Sequence, residues 1–173
     1  MICKVRTLLK AFLEIAFLRK GPSEIPHSTL LFSAAAGLFL LVSILGVALE
    51  AGYSRSGLAI DLVLTAVAIG LYFLIVNIFG NSERFLRSLT AILGCSAVIG
   101  AASIGGRTIL ANWLNAENIG VFVEIMLLWS ILVEGHIIAR TIDRPWIIGI
   151  LMAMAVFFAQ LQVFVVIKPL FGS

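Results

Sequence analysis

The residues best suited to chemistry are an acid and a histidine in one apolar stretch. Glu134, His136 and Arg140 lie in the run EGHIIAR. On a helix, His136 and Arg140 share a face because they are four residues apart, whereas Glu134 points about 200° away from His136. An ionised carboxylate inside an apolar helix is costly, so Glu134 is expected to face protein and either find a partner or stay protonated.

Two roles fit Glu134. One is a proton- or ion-linked step through the interior of a helix bundle, and the other is a structural hydrogen bond that fixes helix register. The sequence offers no second acid of matched depth, which favours the structural role. The predicted intramembrane polar cluster comprises Glu134, His136, Tyr72, Asn77 and Thr90, with Ser88 nearby and with Gln160 and Gln162 closer to the other side.

Known catalytic and metal-binding patterns are absent from the sequence. It contains neither a His-Glu-x-x-His zinc motif nor a Gly-x-Ser-x-Gly nucleophile elbow. Cys3 and Cys95 are far apart, which disfavours a disulfide framework, a redox pair or a cysteine metal site. Haem ligation by His27 and His136 is also disfavoured. We therefore predict no metal, no cofactor and no enzymatic activity.

The composition is that of a membrane protein. Of 173 residues, 61% are hydrophobic and 12% are charged, whereas a soluble domain is about 45–50% apolar and about 25% charged. A soluble fold of this size could not bury so much apolar surface. We therefore predict an all-α fold, an integral membrane bundle of five transmembrane helices preceded by a cytoplasmic amphipathic helix.

Five segments are apolar over the roughly 20 residues that a span requires. They are helical because lipid offers no partner for a backbone hydrogen bond. The predicted spans are 30–49, 59–79, 85–110, 121–139 and 146–167, within a domain of residues 29–173. Asp61 and Glu124 fall near the starts of two of these spans, where a helix dipole favours a carboxylate, so neither is assigned a function.

Residues 1–28 are predicted to form a cytoplasmic amphipathic helix and a proline-containing linker. The apolar face of this helix comprises Ile2, Val5, Leu8, Leu9, Phe12, Leu13 and Ala16. The basic residues of the segment, Lys4, Arg6, Lys10, Arg19 and Lys20, suit anionic lipid headgroups at the membrane surface. The alternative is a docking helix for a partner protein.

The third span contains small residues at four-residue steps. They are Ser96, Ala97, Gly100, Ala101 and Gly105. Small residues allow helix backbones to approach closely in lipid. We expect this face to pack within the chain, and a homodimer face is the alternative.

Three stretches of sequence carry a family resemblance. These are FLRKGP followed by Ile25-Pro26, the run RFLRSLTA at residues 84–91, and Trp129-Ser130 through Gly135-His136. They resemble small proteobacterial membrane proteins that are similar in layout to the Yip-domain family. The resemblance implies a cytoplasmic N-terminal region, five spans and a short outer C-terminus. Eukaryotic members are linked to vesicle traffic, small GTPase binding and membrane shaping, but residues 1–28 replace their long N-terminal domain.

Together these features predict a non-enzymatic integral membrane protein that organises or assembles with other components of a bacterial cytoplasmic membrane. The expected partners are the lipid bilayer and a membrane protein or a second copy of the chain, and no nucleic acid is expected. The alternative is a small transporter or channel subunit with a proton- or ion-linked step at Glu134.

The basic residues predict the orientation of the chain, so a reporter fused after Ser173 should read as external. The inner segments contain Lys4, Arg6, Lys10, Arg19, Lys20, Arg84, Arg87, Arg140 and Arg144, and the outer ones contain Arg55, Arg107 and Lys168. Loops rich in Lys and Arg stay in the cytoplasm, which places the N-terminus inside and the C-terminus outside. A paired alkaline phosphatase and fluorescent protein fusion measures this, and a cytoplasmic signal would contradict the count of five spans.

Overall fold

The computed structural model describes residues 12–51 and 55–171, and in these ranges the regular structure is helical. The long helices are α1 (Thr29–Ala51), α2 (Arg55–Ile78), α3 (Phe85–Leu110), α4 (Ala116–Thr141) and α5 (Trp146–Phe171). Two short 3-10 helices, Pro22–Glu24 and Ser82–Arg84, precede α1 and α3. All five long helices are long and apolar enough to cross a membrane. The predicted all-α bundle of five spans is confirmed, and the chain is a multi-pass membrane protein.

Two helices begin earlier than the sequence analysis predicted. The side chain of Asn115 caps α4 by accepting a hydrogen bond from the Asn118 backbone N–H, at 3.2 Å, so α4 starts at Ala116 rather than at residue 121. Glu124 is therefore the ninth residue of α4, and Asp61 is the seventh residue of α2. The helix-dipole explanation for these two acids is wrong, because the dipole acts within the first turn.

The helices pack in a closed order that differs from their order in the chain. The main contacts join α1 to α3, α3 to α4, α4 to α5, and α5 to α2, and a weaker contact joins α2 to α1. One end of the bundle, here called the basic end, is where α2 and α4 finish and α3 and α5 begin. It contains Arg84, Arg87, Arg140 and Arg144.

The helices α4 and α5 approach each other closely where they cross. A Cβ added at Gly149 would overlap the carbonyl oxygen of Gly135 and lie 2.8 Å from the backbone N of Ala139. A Cβ added at Gly135 would lie 2.8 Å from the Cα of Ile150. This crossing follows the small-residue rule for helices in lipid, at positions that the sequence analysis did not single out.

The small residues of α3 have different surroundings. Ala97 is buried, and a Cβ on Gly100 would lie 2.9 Å from the Cγ1 of Val42 in α1. These two positions pack within the chain, as expected. Ala101 is exposed, and a Cβ on Gly105 would meet nothing within 4 Å.

Residues 12–25, here called the N-terminal segment, pack against the bundle. The ring of Phe12 occupies the space beside Gly94 of α3, and the Cys95 thiol donates to the Phe12 carbonyl oxygen at 3.5 Å. Ile15 is fully buried, and Ile25 is only 2% exposed. Of the predicted apolar face, Phe12 and Ala16 therefore belong to the core of this chain, whereas Leu13 is 38% exposed.

The helix of the N-terminal segment ends before the prolines of the predicted linker. Its described part ends at Ala16, and Leu18 then adopts a left-handed backbone with φ of 59°. Arg19 and Lys20 are exposed after this turn, and Lys20 pairs with Glu14 at 3.1 Å. The predicted surface residues Lys4, Arg6 and Lys10 lie outside the described residues.

Gly149→Ala should destabilise the bundle, because the methyl group has no space at the α4–α5 crossing. Overpacking of this kind costs about 1–3 kcal/mol. Gly37→Ala is the matched control in α1, since a Cβ there would meet nothing within 4 Å. The melting temperatures of the two detergent-solubilised variants are measured by monitoring tryptophan fluorescence during heating. Equal melting temperatures would show that the crossing is looser than described.

Candidate functional site

All five long helices contribute to one cavity of about 290 Å³, here called the central cavity. Its polar lining residues are Asp61, Thr65, Tyr72, Ser96, Ser130, Glu134 and Gln160. The remaining lining is apolar and includes Phe39, Leu89 and Val156. Ionisable residues that face a cavity inside a membrane bundle commonly mark a binding site or a pathway.

The central cavity is elongated along the bundle. Asp61 and Tyr72 both line it and are eleven residues apart on α2, which corresponds to roughly 16 Å of helix rise. That is about half of the ~30 Å hydrocarbon thickness of a bilayer. Asp61 lies toward the end opposite the basic end, and Tyr72 lies toward the basic end. The cavity therefore extends across several turns of the bundle.

Asp61 is held in the central cavity with one oxygen unsatisfied. Its Oδ2 atom is buried and has no hydrogen-bond partner among the described residues. A buried polar atom without a partner costs about 1–3 kcal/mol, and a charged one costs more. Protonation of Asp61, or a small rearrangement that exposes Oδ2 to the cavity, would remove this cost.

Glu134 lines the same cavity from α4. The Ser130 hydroxyl, one turn earlier, donates to its Oε1 at 3.3 Å. Glu134 also borders a second groove, which is lined by α2, α4 and α5 and includes Leu127 and Phe164. Glu134 is thus at the boundary between the central cavity and this apolar groove.

Gln160 connects α5 to α2 beside the two acids. Its side-chain Nε2 donates to the backbone carbonyl oxygen of Leu64, at 3.1 Å. Gln160 borders both the central cavity and the groove. Its amide oxygen remains able to accept a hydrogen bond from a proton carrier or to coordinate a cation.

Tyr72 lies at the part of the cavity nearest the basic end. Its hydroxyl donates to Thr141 Oγ1 at 3.3 Å, and its ring stacks on Phe85 with centroids 5.7 Å apart. The Thr141 hydroxyl in turn donates to the Ile137 carbonyl oxygen at 2.7 Å. The Tyr72–Thr141 hydrogen bond therefore joins the cavity to the end of α4.

Only part of the predicted polar cluster comes together. Glu134 and Tyr72 line the central cavity. Nε2 of His136 instead contacts the Lys20 carbonyl oxygen at 3.2 Å, and the Thr90 hydroxyl donates to Leu86 O at 2.7 Å. Asn77 is exposed. The cluster was predicted from depth alone, and depth does not determine which way a helical side chain points.

Several residues of the cavity were not assigned to this site by the sequence analysis. They are Asp61, Thr65, Ser96, Ser130 and Gln160. A usable signal existed on α2, because Asp61, Thr65 and Tyr72 lie at helical spacings that share one face. The predicted span 59–79 puts Asp61 near the start of its helix, where the helix dipole would account for the acid, so this signal is not used.

The described residues contain no group of three His, Cys, Asp or Glu side chains placed to hold a metal ion. Comparison of the chain with known protein families, curated proteins and solved structures found no match. The resemblance to the Yip-domain family stays a prediction. The function is therefore inferred from the geometry of the central cavity.

A cysteine at position 96 should react with a water-soluble cationic thiol reagent, because Ser96 lines the central cavity. Ser96→Cys is made in a chain that has Cys3→Ser and Cys95→Ser. The matched control is Ala97→Cys, whose side-chain position is 1% exposed and does not line the cavity. Because Asp61 and Glu134 attract positive charge, the cationic reagent should label the cysteine at position 96 at a rate at least about tenfold higher than an anionic reagent does. Equal labelling at positions 96 and 97, measured by mass, would contradict a hydrated cavity.

Proposed function

We propose that this chain is a small transporter or channel subunit that moves protons or small cations along the central cavity. The observation that supports this most is that Asp61 and Glu134 share one cavity bounded by five helices, with Asp61 Oδ2 unpartnered. A structural role for Glu134 follows from the sequence because no second acid of matched depth is present. Asp61 is a second acid in the same cavity, at a different depth from Glu134.

The charges around the cavity favour a positively charged occupant. Two carboxylates line it, and none of the described residues that line it is lysine, arginine or histidine. In a low-dielectric interior an unpaired carboxylate is costly, so protonation or cation binding at Asp61 and Glu134 is stabilising.

The volume of the cavity limits the size of the occupant. The central cavity is about 290 Å³ and is spread along several turns, at the lower end of the roughly 300–1,000 Å³ of pockets for organic ligands. The occupants that fit best are a proton with ordered water, or a small cation that keeps part of its hydration.

The polar groups define a route along the bundle. It runs from Asp61 past Gln160 to Glu134, and then to the Tyr72–Thr141 hydrogen bond near the basic end. In a proton-linked step, Glu134 would accept a proton and become neutral, which lowers its cost in the apolar bundle. It would then release the proton toward the other end.

We place this chain in a bacterial cytoplasmic membrane with its N-terminus inside and its C-terminus outside. The support is the excess of basic residues in the predicted inner segments, which would make the basic end cytoplasmic. The five-span layout also agrees with what the Yip-domain resemblance implies.

Glu134→Gln and Asp61→Asn should each reduce proton or cation flux at least about tenfold, which corresponds to a barrier about 1.4 kcal/mol higher. Both changes keep the size of the side chain and remove its charge. The measurement uses purified chain in vesicles, an imposed potassium diffusion potential and an internal pH- or cation-sensitive dye.

Glu117→Gln is the control for this experiment, because Glu117 is an exposed carboxylate in the first turn of α4. It should keep the flux of the unmodified chain. Unchanged flux in Glu134→Gln would remove that acid from the mechanism, and no flux from the unmodified chain would refute the transport function.

The second candidate is assembly with other membrane components, and Glu124 favours it. This exposed acid is the ninth residue of α4, roughly 12 Å from the start of that helix. An exposed acid within a span is costly in lipid, so a protein partner would stabilise it. Assembly predicts that Glu124→Gln reduces the size of the particle in mild detergent. An unmodified chain that is always a lone monomer contradicts assembly.

A further inference from the structure

At the basic end, outside the central cavity, is a second polar site, here called the basic pocket. It is about 350 Å³ in volume, and its walls come from the N-terminal segment, the 3-10 helix Ser82–Arg84, α3, α4 and the α4–α5 turn. The lining residues are Pro22, Ser23, Arg84, Arg87, Ser88, Arg140, Thr141 and Asp143. Three guanidinium groups and one carboxylate line it, so positive charge exceeds negative charge by two.

Arg84 is the arginine that holds the pocket together. Its Nη1 donates to Asp143 Oδ2 at 2.5 Å and to the Thr141 carbonyl oxygen at 3.4 Å. These bonds tie the start of α3 to the end of α4 and the following turn. They also account for the single carboxylate in the lining, so Asp143 does not neutralise the other two arginines.

Arg87 and Arg140 have no carboxylate partner among the described residues. The Nε of Arg87 is buried and makes no hydrogen bond within that part of the chain. Arg140 is exposed at the last turn of α4. A buried guanidinium N–H without an acceptor is costly, and both arginines line the basic pocket, where an anion would offset their charge.

The N-terminal segment forms one wall of the basic pocket. Pro22 and Ser23 line it, and a Cβ added at Gly21 would lie 3.5 Å from the Cγ of Arg140. The Lys20 carbonyl oxygen contacts His136 Nε2 at 3.2 Å, which holds this wall against α4. The pocket is thus built from three separate parts of the chain rather than from a run of surface charges.

We propose that the basic pocket binds a phosphate group, presented by the headgroup of an anionic phospholipid. Arginine matches phosphate in geometry, because its planar fork donates two parallel hydrogen bonds. The hydroxyl of Ser23 adds a neutral donor beside the guanidinium groups, whereas the Ser88 hydroxyl already donates to the Arg84 carbonyl oxygen at 2.8 Å. Basic pockets at the end of a helical bundle suit lipid headgroups. Free inorganic phosphate has the same chemistry and is the alternative source.

The experiment measures the melting temperature of the purified chain in detergent during titration with single additives. One arm uses dioctanoyl phosphatidic acid and dioctanoyl phosphatidylglycerol, with dioctanoyl phosphatidylcholine as the neutral lipid. The other arm uses inorganic phosphate, with sodium chloride at matched ionic strength. A ligand that binds the folded chain raises the melting temperature with its concentration.

Arg87→Gln and Arg140→Gln should each weaken the response to the anionic lipids at least about tenfold in apparent Kd, because each removes charge-assisted hydrogen bonds. The matched control is Arg144→Gln at the same end. Arg144 lies over the ring of Phe79 and does not line the basic pocket. Arg140→Gln keeps the test informative if Arg87→Gln fails to fold, because Arg140 is exposed.

Stabilisation by anionic lipids that is lost in Arg87→Gln or Arg140→Gln and kept in Arg144→Gln supports the proposed site. The same pattern with inorganic phosphate alone supports a phosphate site whose source is soluble. Equal weakening in all three variants would show only diffuse attraction to a basic surface and would overturn the proposal. No stabilisation of the unmodified chain by either additive would also overturn it.

Discussion

The crossing of α4 and α5 at Gly135 and Gly149 is the contact on which the rest of the bundle depends. Lipid provides little hydrophobic drive between helices, so close backbone contact must supply much of the attraction. Gly135 directly follows Glu134, so this crossing fixes the rotation of α4 and holds Glu134 toward the interior. It also places α5 so that Gln160 reaches the backbone of α2. The walls that α4 and α5 give to the central cavity therefore depend on how these two glycines pack.

Buried polar atoms without a partner mark both proposed sites. In the part of the chain that the structure describes, they are Asp61 Oδ2 and Arg87 Nε. The first atom belongs to a carboxylate of the central cavity, and the second belongs to a guanidinium group of the basic pocket. Between them run Gln160, Glu134 and the Tyr72–Thr141 hydrogen bond. Thr141 lines the basic pocket and also accepts the hydrogen bond of Tyr72, so the two sites share a residue.

The N-terminal segment shows that an amphipathic pattern is compatible with packing either against lipid or against protein. Phe12 and Ile15 are buried against the bundle, while Arg19 and Lys20 remain exposed. An apolar helical face is stabilised equally well by lipid or by protein, so its pattern does not select between them. The space beside Gly94 and the contact of His136 with the Lys20 carbonyl oxygen select the protein. This packing places Pro22 and Ser23 over the basic pocket.

The sequence by itself determined the fold class, the number of spans and most of their limits, because hydrocarbon requires long apolar helices with satisfied backbones. It also indicated Glu134 as the unusual acid of the interior. It could not determine which polar residues meet. The depth of a residue in the membrane follows from its position along the span, but the direction in which its side chain points depends on how the helix packs. His136 and Thr90 were therefore grouped with Glu134, although each bonds elsewhere. Only the tertiary structure brought Asp61 and Glu134 into one cavity, because the order of helix packing differs from the order in the chain.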